Sequence, residues 1–287
     1  MTPSIIPKDL SQWPGHFRLV SLTRLPGGQG GVENRAVLYH DRLSLEVSWH
    51  SASVDTRLKR GCLVALKGLP ANPDVRAKQP MPIERLELLD KPLASLNPFQ
   101  TIPPSWQSDR ASIALAAKLF ETLERPFRHL LNVVLWDGGR CYRFLTGPAI
   151  SSDSPAHPGG NFRQAVEVAE HGYELLKGLP DTSLSVMVSA ALLAHIGKAD
   201  EFRRTDAGYT LSERGYWVGG QTTILEWLAV ARTKVVIPEH QYLALVHALI
   251  ASRGNPAERQ SLEATTLAVA IRLGSHRQAF TGGRLRN

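Results

Sequence analysis

The chain has 287 residues, 43% of them hydrophobic and 21% charged, a globular composition with apolar material enough for two cores. Its formal charge is +7 and its pI about 9.6, which excludes an acidic, self-repelling chain and favours polyanionic partners through counterion release. Cys62 and Cys141 are its two cysteines, too few for a disulfide framework or a thiolate-built zinc site. Apolar runs such as Ala190–Ala194 fall far short of the roughly 20 residues of a membrane span. Neither a basic start nor a hydrophobic stretch marks the first residues as a signal peptide. The expectation is a cytoplasmic protein with no membrane partner.

The first third reads as strands. Residues 1–105 carry 13 Lys and Arg against 9 Asp and Glu, so more than half of the net charge sits there. Strand segments are His16–Leu25, Arg35–His40, Leu43–Trp49, Cys62–Leu66 and Ile83–Leu89. Leu43, Leu45, Val47 and Trp49 alternate with Ser44, Glu46 and Ser48, the period of a half-buried strand. The apolar phase slips between Leu19 and Val20, which predicts a bulge. Gly27–Gly31 is a flexible loop, and no helix follows it, so it is not a nucleotide-binding glycine motif. A proline-bearing connection, residues 70–82, leads to the fifth strand. Five short strands with a glycine-rich first loop suit a partly open barrel, the OB-fold. Tyr39-His40-Asp41-Arg42-Leu43-Ser44-Leu45-Glu46-Val47-Ser48-Trp49, followed by Leu58–Gly68, resembles the OB-fold of nucleic-acid-binding proteins.

After the proline-rich stretch of Pro98, Pro103 and Pro104 the chain turns helical. Apolar residues recur at helical spacing over Ser112–Leu123, Pro126–Leu135, Phe162–Lys177, Ser183–Ile196, Thr222–Arg232, Glu239–Ser252 and Ala257–Leu273. Pro238 and Pro256 fall near first turns, where proline is tolerated. The expected fold class is therefore α+β with two domains: a five-stranded OB-fold barrel with its linker over 1–105, and an all-α domain over 106–280. A basic tail, 281–287, completes it.

Three segments in order carry a further resemblance: Phe144-Leu145-Thr146-Gly147-Pro148-Ala149, then His157-Pro158-Gly159-Gly160, then Ala194-His195-Ile196-Gly197-Lys198. Together they resemble the HD-domain phosphohydrolase superfamily. The nearest likeness is to 3′-to-5′ exoribonucleases that join an OB-fold to an HD domain, and to HD-type relaxase domains of conjugative elements. That family uses imidazoles and carboxylates to hold metal ions that activate water. Here the ligand positions that the resemblance implies are changed. Ser151–Pro155 holds no histidine, and Gln164 stands where a histidine would follow the Gly-Gly pair. Ala194 and His195 replace the His-Asp pair, Gln221 a histidine after glycine, Ser252 and Arg253 a His-His pair, and Arg272 the closing aspartate. The resemblance thus implies a pseudoenzyme without metal or other cofactor.

An OB-fold binds single strands on the face of its second and third strands, using aromatic side chains and basic residues. The candidates are Arg18, Arg24, Arg35, Tyr39, Arg42, Trp49, Lys59, Arg60 and Lys67. Tyr39 and Arg35 share one strand face, whereas Trp49 is in phase with core residues. Trp136, Trp217 and Trp227 are expected in the helical core. His276, Arg277, Arg284 and Arg286 make a basic end. These features predict a non-catalytic binder of single-stranded DNA or RNA, whose accessory role in DNA mobilisation or nucleic-acid processing would rest on the resemblance. A homo-oligomer or a protein partner would engage the helical domain. Two rivals stand beside it: a metal-dependent nuclease or phosphohydrolase with a site rebuilt from His157, His171, His195, His240 and His247 beside Asp200 or Glu201, and a protein–protein adaptor.

Overall fold

Period-two alternation builds the first half. In β3 (Leu43–Ser51), Leu43, Leu45, Val47 and Trp49 are buried while Ser44, Glu46 and His50 are exposed. β2 (Val32–His40) buries Asn34, Ala36, Leu38 and His40 and turns Arg35 outward. Both pair antiparallel with their neighbours, β2 lying between β3 and β1 (Phe17–Pro26). The expected bulge is present: the register of β1 against β2 shifts between Leu19 and Ser21, leaving Val20 as the extra residue. In a computed structural model, the described residues are 13–70, 79–151, 154–206, 208–258 and 260–282.

The sheet has six strands rather than five, in the order β5-β3-β2-β1-β4-β6. Of the expected fifth strand, Ile83–Leu89, β6 (Arg85–Leu88) forms antiparallel to β4 (Leu63–Lys67), and the end of the expected connection adds β5 (Met81–Pro82), parallel to β3, divided from β6 by Ile83 and Glu84. The division has a geometric cause. Ile83 N donates to Ser48 O (2.9 Å) and Glu84 N to Lys67 O (3.0 Å), so this short segment crosses from one edge of the curled sheet to the other. Gly68, at φ +65°, leaves no room for a side chain against Glu84 and lets β4 end beneath that crossing. The connection before it falls largely on residues 71–78, outside the described residues. Phe17, Leu19, Leu38, Val47 and Val64 lie in one apolar core inside the sheet.

A second core holds the helical half. Its centre is α5 (Leu184–Ile196), in which every residue from Ser185 to Ile196 is buried. A helix apolar on all sides needs neighbours on all sides, and α5 has them: α2 (Arg125–Leu135), α4 (Gly160–Leu176), α7 (Gly219–Arg232), α8 (Glu239–Ala251) and α9 (Leu262–Gly282). α1 (Arg110–Glu121) packs on α4. Side-chain caps fix several starts, among them Asp109 accepting from Ser112 N (3.1 Å) and Ser183 Oγ accepting from Val186 N (3.2 Å). The expectation of an all-helical half is corrected in two places. Hairpins β7–β8 (Ala149–Ser151, Ser154–His157) and β9–β10 (Phe202–Thr205, Gly208–Leu211) interrupt it, alongside two helices the apolar period did not mark, α3 (Gly138–Thr146) and α6 (Glu213–Trp217). Both hairpins are short and half polar, so neither presents a long alternating run. Among the described residues no helix is long and apolar enough to cross a membrane.

The two halves are tightly joined. Phe99, Ile102 and Trp106 of the proline-rich connection belong to the helical core. Gly61 and Gly138 touch backbone to backbone: a Cβ on Gly138 would lie 2.6 Å from Gly61 O. Between them sits Arg18, fully buried, its Nε donating to Thr101 Oγ1 (3.1 Å) and Nη1 to Gly61 O (2.9 Å), its guanidinium over the Trp106 ring at 5.4 Å. Burial pulls its pKa down, and no carboxylate faces it among the described residues. A buried charge without a counter-charge is often replaceable by an apolar side chain of similar volume. Arg18→Met is therefore expected to leave the melting temperature unchanged or higher; a fall of more than a few degrees would show the guanidinium to be a net stabiliser.

Candidate nucleic-acid interface and the His195 pocket

The side chains expected to meet nucleic acid divide into three groups. Two are inside. Arg18 is the internal strut just described, a correction that follows from the helical half covering the end of β1, and Trp49 is 6% exposed in the core of the curled sheet. Three are engaged or half covered. The Tyr39 hydroxyl accepts from Arg110 Nη2 (3.0 Å), with that guanidinium over its ring. Arg24 Nη2 donates to the carbonyls of Asp55 (2.9 Å) and Leu58 (3.0 Å), and Lys67 pairs with Glu87 (2.9 Å). Arg35, Arg42, Lys59 and Arg60 remain exposed, Arg35 beside Glu33 (2.8 Å). The outward face of β3, with Ser44, Glu46, Ser48 and His50, carries no arginine or lysine.

The exposed cations instead lead toward the helical half. Arg60 lies over the Tyr142 ring of α3 at 5.4 Å. Next along α3, Arg143 donates to Asp200 Oδ1 (2.9 Å from Nε). Tyr209 of the second hairpin donates to Thr146 O (2.9 Å) at the end of that helix, with Tyr142 and Arg204 nearby. Guanidiniums and half-exposed phenol rings thus alternate from the loop before β4, across α3, to β9–β10. Sequence reading found Arg60 and missed the rest, because the residues are dispersed over 150 positions of chain and become neighbours only by packing.

The positions that the resemblance aligns with metal ligands are partly brought together. Asn161 Nδ2 donates to His195 O (2.9 Å), placing the start of α4 against the end of α5; Gln164, one turn further on, is buried. His195 is 1% exposed, and neither ring nitrogen has a partner among the described residues. Arg253 is exposed by area, yet its guanidinium turns inward and donates to Ala194 O (3.0 Å). Ser252 is buried beside it, its hydroxyl donating to Leu249 O (3.3 Å). Gln221 is half buried at the start of α7, next to the contact between Gly197 and Gly220. Arg272 does not join them. It is exposed on α9, turned away from the inward-packing Ala270 and Gly274, so the arginine in this pocket is Arg253.

Electrostatics then decide what the pocket accepts. Burial pushes the His195 pKa well below its ordinary value, and the charges of Lys198 and Arg253 push the same way. Lys198 and Arg253 are themselves lowered by burial, with Glu201 as their offsetting charge. A divalent cation needs converging carboxylates and imidazoles; Ala194 offers none, and Arg253 adds positive charge. The donor set does not fit the metal site of the HD family. Of the rebuilt cluster, His240 is exposed, His171 Nδ1 lies 2.6 Å from Glu167 O one turn back in α4, and His195 is sealed. Among the described residues no three His, Cys, Asp or Glu side chains are placed to hold a metal ion. The side chain of His157 lies outside the described residues, as do Asp153, Arg284, Arg286 and the side chains of Ser151, Pro155, His276 and Arg277.

The chain was compared with protein-family models, curated proteins and solved structures, and nothing matches it. Its function therefore has to be argued from the site alone. Among the tryptophans expected in the core, Trp227 is half buried under the Arg140 guanidinium at 3.9 Å and Trp136 is half buried, its Nε1 donating to Leu89 O (2.9 Å). Trp217 is 75% exposed, contrary to expectation, because α6 is a single turn that packs through Gly215.

Proposed function

We propose that this protein is a non-catalytic binder of single-stranded nucleic acid, made of an OB-type barrel and a helical domain of HD type whose metal site has been lost. The observation that carries the reading is Arg253 donating to Ala194 O above the sealed, partnerless ring of His195. A guanidinium and an ammonium there, Arg253 and Lys198, against the single carboxylate of Glu201, support a site that does not hold a divalent cation. Binding is supported by the net charge of +7 and by the run of Lys59, Arg60, Tyr142 and Arg143 along the junction of the two halves. Cations that follow a sugar–phosphate backbone and rings that stack on bases are what single-strand grooves use. Strand contacts would fall on the junction rather than on the polar outer face of β3.

Titration of labelled single strands of about 16 nucleotides, DNA and RNA, tests the reading. Affinity is expected to fall about tenfold or more between about 50 and 200 mM salt. Arg60→Ala is expected to reduce the slope of log K against log salt by about 0.7, the loss of one phosphate contact. Strands should survive incubation with Mn²⁺, Fe²⁺ or Zn²⁺. Cleavage that disappears on replacing His195 would make the protein a hydrolase, and absence of binding at low salt would make it an adaptor.

A further inference from the structure

Two aromatic rings stand in solvent where the fold had means to cover them. Tyr216 and Trp217 are 69% and 75% exposed and meet edge to face, centroids 4.8 Å apart at 89°. They sit on α6, a single turn held on three sides. Ser212 Oγ donates to Asp200 O (2.5 Å) and accepts from Gly215 N (2.8 Å), and Ser212 N donates to Glu201 O (2.9 Å). Gly215 lies so close to the Glu201 carbonyl that no side chain would fit. The backbone beneath the rings is therefore fixed, and fixed aromatics bind with little ordering cost.

The charges beside them point to the occupant. The β9–β10 hairpin runs directly into α6 and exposes Arg203 and Arg204, neither of them in an ion pair among the described residues. Arg214, on α6 itself, is spoken for: it donates to Thr223 Oγ1 (3.1 Å) and pairs with Glu226. Asp206 is at the hairpin tip, and Glu213, exposed one helical turn before the two rings, is the one acid beside them on α6. Leu211, 45% exposed, shares one face of the hairpin with Arg204, while Arg203 points to the other face. An exposed indole ring on the same short segment as an uncommitted guanidinium complements a base with its phosphate. It also lies at the far end of the alternation of Arg60, Tyr142, Arg143, Tyr209 and Arg204.

We propose that Trp217, braced edge to face by Tyr216, forms a platform on which an unpaired base of single-stranded nucleic acid stacks, with Arg204 holding the adjoining phosphate. This rests on the single-strand reading above and extends the contact from the barrel junction onto the helical half. Fluorescence anisotropy on the full chain, with DNA and RNA strands of one sequence and about 16 nucleotides, tests it and tells which sugar is preferred. Trp217→Ala is expected to raise Kd about ten- to a hundredfold, the worth of one stacked base. Trp217→Phe, which keeps a ring, should stay within a few-fold of wild type while losing part of the tryptophan quenching that binding causes. Arg204→Ala should lower the salt slope by about 0.7, whereas Arg203→Ala, on the other face of the hairpin, should leave it unchanged. Wild-type affinity in Trp217→Ala, with quenching intact in Trp217→Phe, overturns the platform and leaves the single-strand reading standing. So does unchanged strand binding by a Trp217→Ala protein that has gone from dimer to monomer in gel filtration, which would give the patch to a second copy of this chain. Failure of the wild-type protein to bind either strand defeats both proposals.

Discussion

Gly197→Ala is expected to lower the melting temperature by about 6–12 °C, the shift that about 3 kcal/mol produces in a domain of this size. Local preference argues the other way. Gly197 closes α5 at φ −55° and ψ −28°, a conformation alanine adopts freely, and reduced freedom of the unfolded chain would stabilise by about 0.4–1 kcal/mol. Packing outweighs it. The new methyl would overlap the carbonyl oxygen of Gly220 and lie 2.9 Å from its carbon and 3.2 Å from Ile224 Cβ. Backbone cannot rotate out of the way as a side chain can, so the start of α7 must move from α5, and Gln221 with it. Gly220→Ala, whose nearest contacts are 3.0 and 3.1 Å, should cost less. Thermal melts of the two variants followed by circular dichroism check the ordering; an unchanged Gly197→Ala transition would mean that α7 is not seated as described.

The second large effect is with pH. His16 lies against the His40 ring (centroids 5.3 Å apart) at the curled sheet, with Arg18 and Asp41 near it. Burial, then His40 and Arg18, lower its pKa from 6.5 to about 4. Folded protein therefore keeps His16 neutral at a pH where the unfolded chain takes up a proton. Stability is full above pH 6.5, falls as pH drops through the window, and levels off near 4, a loss of about 3 kcal/mol. His195 is shifted in the same direction, for burial and for the charges of Lys198 and Arg253, and adds to the fall. The carboxylates of Asp55, Glu87 and Asp109 are lowered instead, so their contributions are lost in and below the ordinary carboxylate range. Urea unfolding from about pH 7 to about 4.5 measures the slope. His16→Phe should flatten it. His195→Leu should flatten it too and raise stability at neutral pH, since it removes two buried ring nitrogens without partners. A slope unaltered in both variants would place the titrating groups elsewhere.

Alternation and helical spacing were legible without coordinates because they are local. Leu43 to Trp49 had to form a strand with one buried face, Val20 had to be a bulge, and the apolar run from Val186 to Ile196 had to be a core helix. All three are so. The same local logic misplaced residues whose fate depends on a distant segment. Arg18 looks like any strand arginine until residues 98–106 fold over it. Trp217 looks like a core tryptophan until Gly215 takes the contact with Glu201 in its stead.

From sequence by itself follow the division into a strand-rich basic part and a helical part, and the presence of an amide, a methyl and a guanidinium, none of them a strong metal ligand, at positions 164, 194 and 253. Both follow because residue type and short-range period need no partner to be read. Only the tertiary structure decided that the sheet has six strands with a crossing between its edges, that Arg253 and not Arg272 reaches Ala194, and that Arg60 meets Tyr142 where the two halves join. Those outcomes depend on which surfaces meet across long stretches of chain, and burial and charge balance are settled there.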